Sequence, residues 1–243
     1  MDELDFTGRK VLVVGGSSGI GNGIAQGFRA KGAVVTVWGT RAGAADYAGE
    51  EGSDLTGLAY AQVDVGDFDA IRRQPDAETL DVLVLSQGRV LYKRAEFEIE
   101  GFRNVIDVNL NSLMACAAKF HKALAAAKGS LIIISSTAAF HSTKGNPAYN
   151  ASKTGAMGLT RTLGEAWAPD GIRVNGIAPG LVDTKMTKVT TANPQRLEGS
   201  LQRIPLHRLG TPQDMAGVAL FLASPLAAYV VGQTIPVDGG LIL

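Results

Sequence analysis

Short runs of aliphatic and β-branched residues alternate with helix-like segments along nearly the whole chain. The strand-like runs are Lys10–Val14, Val34–Trp38, Leu58–Val63, Val82–Leu85, Leu131–Ser135, Arg173–Ile177 and Gln233–Val237. Helical spacing of apolar residues is found at Ile20, Ile24 and Phe28, and across Phe102–Ala127, Tyr149–Trp167 and Met215–Leu222. Because parallel strands need crossover connections, the alternation predicts an α/β fold. We expect a doubly wound parallel sheet of about seven strands, with helices on both faces in a three-layer sandwich.

Most connections between these segments are short, and no linker rich in proline, glycine or serine divides the 243 residues. We therefore expect a single domain over residues 1–243. The exception is the stretch 181–211, which contains several turn residues and only weak periodicity. A connection of this length in a compact domain is usually functional, so we expect it to form a lid over a substrate site.

Charge and composition favour a cytoplasmic protein and give no indication of a nucleic-acid or membrane partner. Lysine plus arginine and aspartate plus glutamate both number 23, so no excess of one sign points to such a surface. The acidic start, Met1–Asp5, lacks the apolar core of a signal peptide. The longest apolar region, Val218–Val231, is interrupted by a Ser-Pro pair and is too short to span a bilayer. The single cysteine, Cys116, lies among alanine and leucine and is expected to be a buried apolar residue.

A glycine-rich turn follows the first strand-like run and precedes the first helix-like segment. Glycines allow a tight turn and close approach to a pyrophosphate, and a helix N-terminus supplies free N–H groups and a positive dipole end. The alternative is an ordinary flexible turn, but the flanking strand and helix are those that a dinucleotide-binding motif requires. The expected cofactor contacts in this turn are Gly16, Ser17, Ser18, Gly19, Ile20 and Gly21.

The end of the second strand-like run distinguishes NAD from NADP. A carboxylate there binds the adenosine ribose 2′-hydroxyl, whereas an arginine accommodates a 2′-phosphate. Thr40 and Arg41 stand at this position and no carboxylate occurs before Asp46, so the sequence favours NADP(H) and leaves NAD(H) open. A solvated loop charge is the alternative for Arg41. After the third run, Asp64 and Val65 are placed to meet the adenine ring, although Asp64 also suits a turn or helix cap.

The stretch Ser135–Lys153 carries the side chains best suited to proton transfer. It follows the aliphatic run Leu131–Ile134, which predicts a strand that is buried on both faces and ends in hydroxyl groups. Tyr149 and Lys153 then lie four residues apart in a helix-like segment, so their side chains share one face. The alternative is a core tyrosine beside a surface lysine. A hydroxyl, a phenol and an ammonium that converge on one point would form an acid–base site.

A tyrosine is an efficient acid and base only if its pKa falls toward the working pH. Lowering that pKa from about 10 to about 7 requires roughly 4 kcal/mol in favour of the anion. One unit charge at about 4 Å in an effective dielectric near 20 supplies roughly that amount. We therefore expect Lys153, together with an oxidised nicotinamide ring, to lower the pKa of Tyr149 without a metal ion.

Several motifs along the chain match one known pattern. The glycine turn Gly15–Gly21 matches T-G-x-x-x-G-x-G except at its first residue, and Ser136 precedes the Y-x-x-x-K pair Tyr149–Lys153 by thirteen residues. Asn109 lies in the long alanine-rich segment, and Pro179-Gly180 follows the sixth strand-like run. In this combination the chain resembles the short-chain dehydrogenase/reductase family over nearly its whole length. The resemblance implies a Rossmann-like fold.

The resemblance also implies an NAD(P)-dependent oxidoreductase that acts on a ketone or secondary alcohol. In the family's pattern Tyr149 is the general acid or base, Lys153 holds the nicotinamide ribose and Ser136 binds the substrate oxygen. Asn109 would hold a water in a proton relay behind Lys153. A 3-oxoacyl thioester is one substrate class within this expectation. Further cofactor contacts implied by the resemblance are Gln87, Gly88, Pro179, Gly180, Val182 and Thr184.

Two departures from the family pattern lie on the cofactor side. Gly15 stands where the family has a threonine, and Leu85 and Ser86 replace the two asparagines of N-N-A-G. We expect these changes to affect local stability and pocket shape, with Gln87 offering an amide nearby. They also motivate an alternative function, a dinucleotide-binding sensor or scaffold with little turnover. The intact set of serine, tyrosine, lysine and asparagine argues against that alternative.

The loop between Ser136 and Tyr149 is expected to form a wall of the substrate pocket. His141 lies in it and is our candidate for a substrate contact, with a solvated loop side chain as the alternative. The basic and aromatic stretch Arg89–Arg94 is a second candidate for the pocket mouth. Family resemblance implies, in addition, a homotetramer or homodimer that pairs the long helical segments with copies of themselves.

Overall fold

Seven strands form one sheet in which every neighbouring pair is parallel. The computed structural model describes residues 3–243. Met1 and Asp2, which belong to the acidic start discussed above, lie outside the described residues. The strands are β1 (Lys10–Val14), β2 (Val34–Gly39), β3 (Ala59–Gln62), β4 (Val82–Leu85), β5 (Ser130–Ile134), β6 (Arg173–Pro179) and β7 (Thr234–Val237).

Helices occupy most of the connections between these strands. Strand boundaries differ from the sequence prediction by at most two residues. No helix of residues 3–243 combines the length and the apolar character that a bilayer crossing requires. The helices are α1 (Gly19–Ala30), α2 (Phe68–Arg73), α3 (Ile99–Ile106), α4 (Ser112–Ala127), α5 (Pro147–Trp167), α6 (Lys188–Thr191), α7 (Pro194–Leu201) and α8 (Pro212–Ala223).

The order of the strands leaves a crevice at the centre of the sheet. The order is β3-β2-β1-β4-β5-β6-β7, with β1 between β2 and β4. From β1 the chain first adds β2 and β3 on one side and then crosses to the other side with β4. The loops that leave the carboxyl ends of β1 and β4 therefore diverge, and ligands of open α/β sheets bind in the crevice between such loops. This topology confirms the predicted doubly wound parallel sheet.

The sheet is covered by helices on both faces, and each face has its own apolar core. Alternate residues of β1 point to opposite faces, so Leu12 and Val14 join one cluster while Val11 and Val13 join the other. The first cluster contains side chains of α4 and α5, and the second contains side chains of α1 and α8. Cys116 is buried in the first cluster, as the sequence predicts. The three-layer arrangement is thus confirmed.

The long helix expected over Phe102–Ala127 is divided into three parts. α3 ends at Ile106, a π-helical turn spans Asp107–Asn111, and α4 follows. A π-helical turn inserts an extra residue into the helix and is frequent at functional sites. This turn carries Asn109, whose side chain reaches the loop after β4. The alanine-rich sequence contains no signal for the turn, because apolar spacing does not distinguish one irregular turn from its helical neighbours.

The crossover from β2 to β3 contains no α-helix, in contrast to the regular alternation expected from the sequence. A 3₁₀ turn at Ala44–Tyr47 and a glycine-containing loop connect the two strands. Gly49, Gly52 and Gly57 have positive φ, a conformation that residues with a Cβ rarely adopt. The carbonyl oxygen of Gly52 accepts the N–H of Gly19 at 2.8 Å, so the loop packs directly on the glycine turn.

The stretch 181–211 is an ordered excursion between β6 and α8. It contains a 3₁₀ turn at Lys185–Thr187 followed by α6 and α7. Val182 and Gly210 form a parallel β-bridge that brings the two ends of the stretch together. The excursion therefore starts and finishes at the carboxyl end of β6, beside the crevice.

Candidate active site

A cleft of about 330 Å³ opens at the carboxyl ends of the strands. The glycine turn forms one part of its lining, and the start of α5 and the segment after β6 form others. Gly16, Arg41, Asn109 and His141 are not part of the lining. The other residues that the sequence placed in a site all line it, namely Ser17, Ser18, Gly19, Ile20, Gly21, Thr40, Asp64, Val65, Gln87, Gly88, Ser136, Tyr149, Lys153, Pro179, Gly180, Val182 and Thr184.

Close backbone contacts explain the glycines of the turn. A Cβ on Gly15, which has a φ of +74°, would lie 2.8 Å from the backbone nitrogen of Gln87. A Cβ on Gly21 would lie 2.2 Å from the carbonyl oxygen of Gly15, and one on Gly16 would meet the side chain of Val37. The first turn of α1 contains no acidic residue, and its N–H groups have no partners within the helix. The turn therefore presents hydrogen-bond donors and a positive dipole end to the cleft.

Arg41 is folded away from the cleft. Its guanidinium carbon lies 4.5 Å from the centre of the Tyr47 ring, and Nη2 lies 2.5 Å from a carboxylate oxygen of Glu50. Glu50 also pairs with Lys185, on the segment after β6. Thr40, by contrast, lines the cleft. No sequence pattern pointed to Tyr47 or Glu50, because an irregular loop gives no periodicity from which the direction of its side chains follows.

The residues of the cleft fit a nicotinamide dinucleotide. A pyrophosphate can approach the first turn of α1 closely, because the glycines there leave no Cβ in its way. Asp64 and Val65 line the cleft beside that turn, where an adenine ring would extend. The buried amide oxygen of Gln87 has no hydrogen-bond partner among residues 3–243, and Lys153, which also lines the cleft, offers an ammonium. These donors and acceptors suit both phosphates and ribose hydroxyls.

Tyr149, Ser136 and Lys153 converge at the end of the cleft formed by β5 and α5. Ser136 is the N-cap of a 3₁₀ turn that follows β5, and its hydroxyl accepts the N–H of Ala138 at 3.1 Å and lies near enough to the Tyr149 phenol to lower its pKa. Lys153 is buried, and its Nζ donates to the carbonyl oxygen of Ile134 at 2.9 Å. The same Nζ lies 5.7 Å from the centre of the Tyr149 ring. The convergence that the i, i+4 spacing predicted is therefore present.

Asn109 lies behind Lys153 rather than in the cleft itself. Its side chain is fully buried and is hydrogen-bonded to the main chain of Arg89, while Nδ2 also donates to Ser152 Oγ at 3.1 Å. A Cβ on Gly88 would lie 3.6 Å from Lys153 Nζ and 3.9 Å from Asn109 Oδ1. The two polar groups therefore flank a space that the glycine leaves open.

Burial dominates the electrostatics of the proton-transfer groups. It raises the pKa of Tyr149 above its ordinary value, and the hydrogen bond with Ser136 only partly offsets this effect. Burial also lowers the pKa of Lys153 to about 8, because the ammonium is removed from water. The protein groups alone thus act on Tyr149 in the direction opposite to that expected from the sequence. That expectation combined Lys153 with an oxidised nicotinamide ring, whereas the raised pKa of Tyr149 results from the protein groups alone.

The structure accommodates one of the two expected departures from the family pattern. Gln87 is almost completely buried and donates from Nε2 to Ser112 Oγ at 3.0 Å, which ties the end of β4 to the start of α4. This bond supplies an amide contact beside the positions where Leu85 and Ser86 replace asparagines. The departure expected at Gly15 is wrong, because the eight positions of T-G-x-x-x-G-x-G end at Gly21 only if the first is Val14. Gly15 is therefore the first glycine of the pattern, and its positive φ and crowding exclude a residue with a Cβ.

Two residues at the mouth of the cleft join the loop after β4 to the segment after β6. The hydroxyl of Tyr92 donates to the carbonyl oxygen of Met186 at 2.7 Å, and Met186 lines the cleft. Tyr92 belongs to the stretch Arg89–Arg94 that the sequence placed near the pocket mouth, whereas Met186 had no specific signal. His141 is exposed, and its Nδ1 lies 2.9 Å from the carbonyl oxygen of Ser142, outside the lining.

Comparison with known proteins settles the family of this chain. A family model described as enoyl-(acyl carrier protein) reductase matches residues 14–242. The chain belongs to the short-chain dehydrogenase/reductase family. Membership confirms the resemblance found in the motifs and accounts for the parallel sheet and the glycine turn. The chain is accordingly an oxidoreductase that transfers a hydride between a nicotinamide cofactor and a ketone or secondary alcohol.

Relatives of this short-chain dehydrogenase/reductase act on different substrates. The 3-oxoacyl-[acyl-carrier-protein] reductase of Chlamydia muridarum is 37% identical, and the match covers 96% of this chain and 97% of that protein. The 2-dehydro-3-deoxy-D-gluconate 5-dehydrogenase of Bacillus subtilis is 34% identical over 98% of this chain and 96% of that protein. Among solved structures, a putative 2-deoxy-D-gluconate 3-dehydrogenase from Agrobacterium tumefaciens with bound NADP has a TM-score of 0.89 and 35% identity, and the match covers 100% and 99% of the two chains.

Proposed function

We propose that this chain is an NADP(H)-dependent ketone reductase and secondary-alcohol dehydrogenase in which Tyr149 is the general acid and base. The observation that carries the proposal is the convergence of Tyr149, Ser136 and Lys153 at one end of a cleft whose other end is a glycine turn. A proton donor and a dinucleotide site at the two ends of one cleft are what carbonyl reduction requires.

Each residue of the set has a distinct task. Bound NADPH supplies the hydride. Tyr149 donates its phenolic proton to the carbonyl oxygen of the substrate, and Ser136 hydrogen-bonds that oxygen and stabilises the charge that develops on it. Lys153 holds the ribose next to the nicotinamide and favours the phenolate that remains on Tyr149. Asn109 orders the loop after β4 and lies where a proton can return to Lys153.

Two observations support a preference for NADP(H). The end of β2 carries Thr40 and Arg41 and no carboxylate, so nothing there repels a 2′-phosphate. The solved structure from Agrobacterium tumefaciens holds NADP. Arg41 reaches a 2′-phosphate only if it leaves Glu50, and a charge-assisted bond to phosphate favours that exchange. We expect Arg41→Ala to weaken NADPH binding about tenfold and to change NADH binding by less than about twofold, as measured by nucleotide fluorescence. Equal effects on the two cofactors would contradict the preference.

The reaction is tested by following NADPH absorbance with a panel of ketones, and NADP⁺ with secondary alcohols. With an active substrate, Tyr149→Phe is expected to reduce kcat by about 10²–10⁴-fold, the range that general acid–base catalysis contributes. Tyr229→Phe is the matched control, because Tyr229 is fully exposed. Near-normal turnover by Tyr149→Phe would refute the proposed mechanism. Tight NADPH binding without turnover on the whole panel would instead support the sensor or scaffold alternative.

A 3-oxoacyl thioester is the second candidate for the substrate. The mouth of the cleft presents two exposed side chains with apolar surface, Tyr92 on one side and Met186 on the other, which suit an acyl chain. The reductase of Chlamydia muridarum supports this class, and the gluconate dehydrogenase of Bacillus subtilis supports a sugar acid. Acetoacetyl-coenzyme A and a keto-gluconate, compared by kcat/KM, distinguish the two classes. A preference of at least about tenfold for one of them, about 1.4 kcal/mol in transition-state binding, would decide between them.

The stretch 181–211 acts in this proposal as the substrate lid of a single domain, 1–243. The lid is fastened on both sides of the cleft, through Met186 to Tyr92 and through Lys185 to Glu50. Thr184 packs on the glycine turn, where its side chain would lie 3.3 Å from a Cβ on Gly19. Proteolysis followed by mass spectrometry tests the assignment, since NADPH is expected to protect cleavage sites within 181–211.

The proposal also covers the oligomeric state of the protein and its location in the cell. We place the protein in the cytoplasm as a homotetramer or homodimer, with no nucleic-acid or membrane partner. Met114 on α4 and Leu226 near the C-terminal end are large exposed apolar side chains, which supports burial against copies of the chain. Size-exclusion chromatography with light scattering tests the assembly, and a monomer at micromolar concentration would contradict it. Cell fractionation tests the location.

A further inference from the structure

Among the aspartate, glutamate, lysine and arginine side chains of residues 3–243, Glu96 and Lys153 are the two that are buried. Lys153 has a role in the proposed reaction, whereas Glu96 has none so far, although its exposed fraction is 0%. Burying a carboxylate is unfavourable unless hydrogen bonds compensate for the lost water. The partners of Glu96 therefore show where this side chain acts.

The Glu96 carboxylate accepts three hydrogen bonds. Oε2 accepts the backbone N–H of Tyr149 at 2.9 Å. Oε1 accepts the backbone N–H of Leu91 at 3.0 Å and the side-chain Nδ2 of Asn146 at 3.1 Å. All three partners are N–H donors, and a carboxylate is the side chain that can accept from all of them at once. The three bonds join the loop after β4 to the start of α5.

The N-terminus of α5 is capped from outside the helix. Tyr149 is the third residue of α5, and the N-cap residue Asn146 makes no side-chain bond to its own helix. Asn146 donates instead to the carbonyl oxygen of Leu91 and to Glu96. Glu96 supplies the missing acceptor and places a negative charge at the positive end of the helix dipole. The first turn of α5, which carries Tyr149, is therefore held by the loop after β4.

The backbone that directs Glu96 inward is itself unusual. Lys93 and Arg94 have φ values of +56° and +62°, in the left-handed region that is unfavourable for residues with a Cβ. Arg94 precedes the 3₁₀ turn Ala95–Phe97, which contains Glu96. Such a turn persists where surrounding contacts hold it, and the bonds of Glu96 are contacts of this kind.

We propose that Glu96 is a positioning residue for Tyr149, which it fixes through the N-terminus of α5. This inference rests on the proposed function of Tyr149 as the general acid. Glu96 does not line the cleft, so its effect on the reaction passes through Tyr149 and not through the cofactor.

The groups around Tyr149 come from three segments, and some raise its pKa while others lower it. Burial is the main cause of its raised pKa, and Tyr92 and Glu96 in the loop after β4 raise it further. Ser136, after β5, lowers the pKa of Tyr149 through a hydrogen bond. Lys153, on α5 itself, lies with its Nζ 5.7 Å from the ring centre. Removing the charge of Glu96 is therefore expected to lower the pKa of Tyr149.

The test compares Glu96→Gln with Glu98→Gln. Glu98 is exposed, lies in the same loop and makes no side-chain cap bond, so it is a matched control for the loss of one charge. Tyrosine labelled with ¹³C in the ring is titrated by NMR, and Tyr149→Phe identifies the signal of Tyr149. In Glu96→Gln the midpoint of Tyr149 is expected to fall, because one of the charges that raise its pKa is removed. Ketone reduction is expected to lose about tenfold in kcat, with the Kd for NADPH changed less than about twofold. Glu98→Gln is expected to leave all three unchanged.

An unchanged Tyr149 midpoint with an unchanged kcat in folded Glu96→Gln would overturn the inference, as would equal shifts in both variants. If circular dichroism shows that Glu96→Gln does not fold, Asn146→Ala replaces it. That variant removes one donor to Glu96 and keeps the charge, so kcat is expected to fall at least about threefold while the Tyr149 midpoint stays within about 0.3 pH units. An unchanged kcat there would overturn the positioning role. Turnover by Tyr149→Phe would overturn the proposed function instead.

Discussion

Asn109 and the main chain of Arg89 form a closed pair of hydrogen bonds. The N–H of Arg89 donates to Asn109 Oδ1 at 2.7 Å, and Asn109 Nδ2 donates to the carbonyl oxygen of Arg89 at 2.8 Å. One side-chain amide thus satisfies both polar backbone groups of a residue that has left the sheet. The pair attaches the loop after β4 to the π-helical turn between α3 and α4, beside Lys153.

Replacing Asn109 by leucine is expected to destabilise the protein and to reduce turnover. The variant leaves both backbone groups of Arg89 unpaired in a partly buried site, which costs about 2–3 kcal/mol in the free energy of unfolding. Urea denaturation measures this change. Asn104→Leu is the control, because Asn104 accepts a bond from the guanidinium of the same Arg89 but at an exposed position. It is expected to cost less than about 0.5 kcal/mol. Similar costs for the two variants would show that the closed pair has no special role.

Gly88→Ala is expected to fold normally and to turn over slowly. The added methyl group would lie at ordinary contact distances, 3.6 Å from Lys153 Nζ and 3.9 Å from Asn109 Oδ1. It fills the space between the two polar groups and excludes a water that would pass a proton between them. We expect kcat to fall at least about tenfold, with a thermal midpoint within about 2 °C of the parent.

Gly217→Ala provides the comparison for Gly88→Ala. Gly217 lies in α8, and a Cβ there would meet no atom within 4 Å. Its kcat is expected to equal that of the parent. An unimpaired Gly88→Ala enzyme would show that the space beside Gly88 takes no part in proton transfer.

Lys153→Met is expected to be inactive but more stable than the parent at neutral pH. The pKa of Lys153 is about 8 in the folded protein and 10.5 ordinarily, so the unfolded chain holds the proton more strongly. The lysine therefore disfavours folding below pH 8, and this disadvantage disappears as the pH rises from 8 to 10.5. The difference between the two pKa values corresponds to about 3 kcal/mol in the free energy of unfolding, which the variant gains. The variant also loses the hydrogen bond to the carbonyl oxygen of Ile134, which reduces this gain by about 1 kcal/mol.

Urea denaturation of Lys153→Met at pH 7 and at pH 10 tests this linkage. We expect the variant to be more stable by roughly 1–3 kcal/mol at pH 7 and the gap to narrow at pH 10. Lys122→Met, at an exposed position of α4, is the control and should show no gap at either pH. A parent protein that is the more stable of the two at pH 7 would contradict the prediction.

Arg173→Met is expected to destabilise the protein strongly. The guanidinium of Arg173 closes the C-terminal end of α8. It donates to the carbonyl oxygens of Leu222, Ala223, Ser224 and Ala227. Losing these bonds leaves helix-end carbonyls without donors and costs about 2–4 kcal/mol. Arg9→Met removes an exposed ion pair with Asp81 and should cost less than about 1 kcal/mol. Thermal unfolding measures both, and equal losses would refute the capping role.

The sequence predicted those parts of the molecule that depend on repeating local patterns. The strands follow from short β-branched and aliphatic runs, and the shared face of Tyr149 and Lys153 follows from helical spacing. The glycine turn was identifiable because Gly15 and Gly21 serve a backbone requirement that no other residue type meets. Such features are encoded within about twenty neighbouring residues, so a reading of the chain can find them.

The features that the sequence did not predict depend on contacts between segments that are distant along the chain. The carboxylate of Glu96 meets Tyr149 across 53 positions of the chain, and Lys185 meets Glu50 across 135. The π-helical turn around Asn109 depends on packing rather than on residue type. The burial of Tyr149, which raises its pKa in the protein alone, also has no signal in the sequence, because burial is a property of the folded protein and not of a spacing.

The helix-free crossover from β2 to β3 has a consequence for how the cofactor preference of this chain can change. Arg41 and Glu50 lie outside the two central clusters, and the loop that carries them is attached to the glycine turn and α1 further along the chain, where Gly52 bonds to Gly19 and the main chain of Asp54 bonds to Asn22. Substitutions at Arg41 and Glu50 therefore leave these attachments and the packing of the sheet in place. Selectivity for the adenosine end of the cofactor is separable from the stability of the fold, so it can evolve, or be engineered, at these two positions.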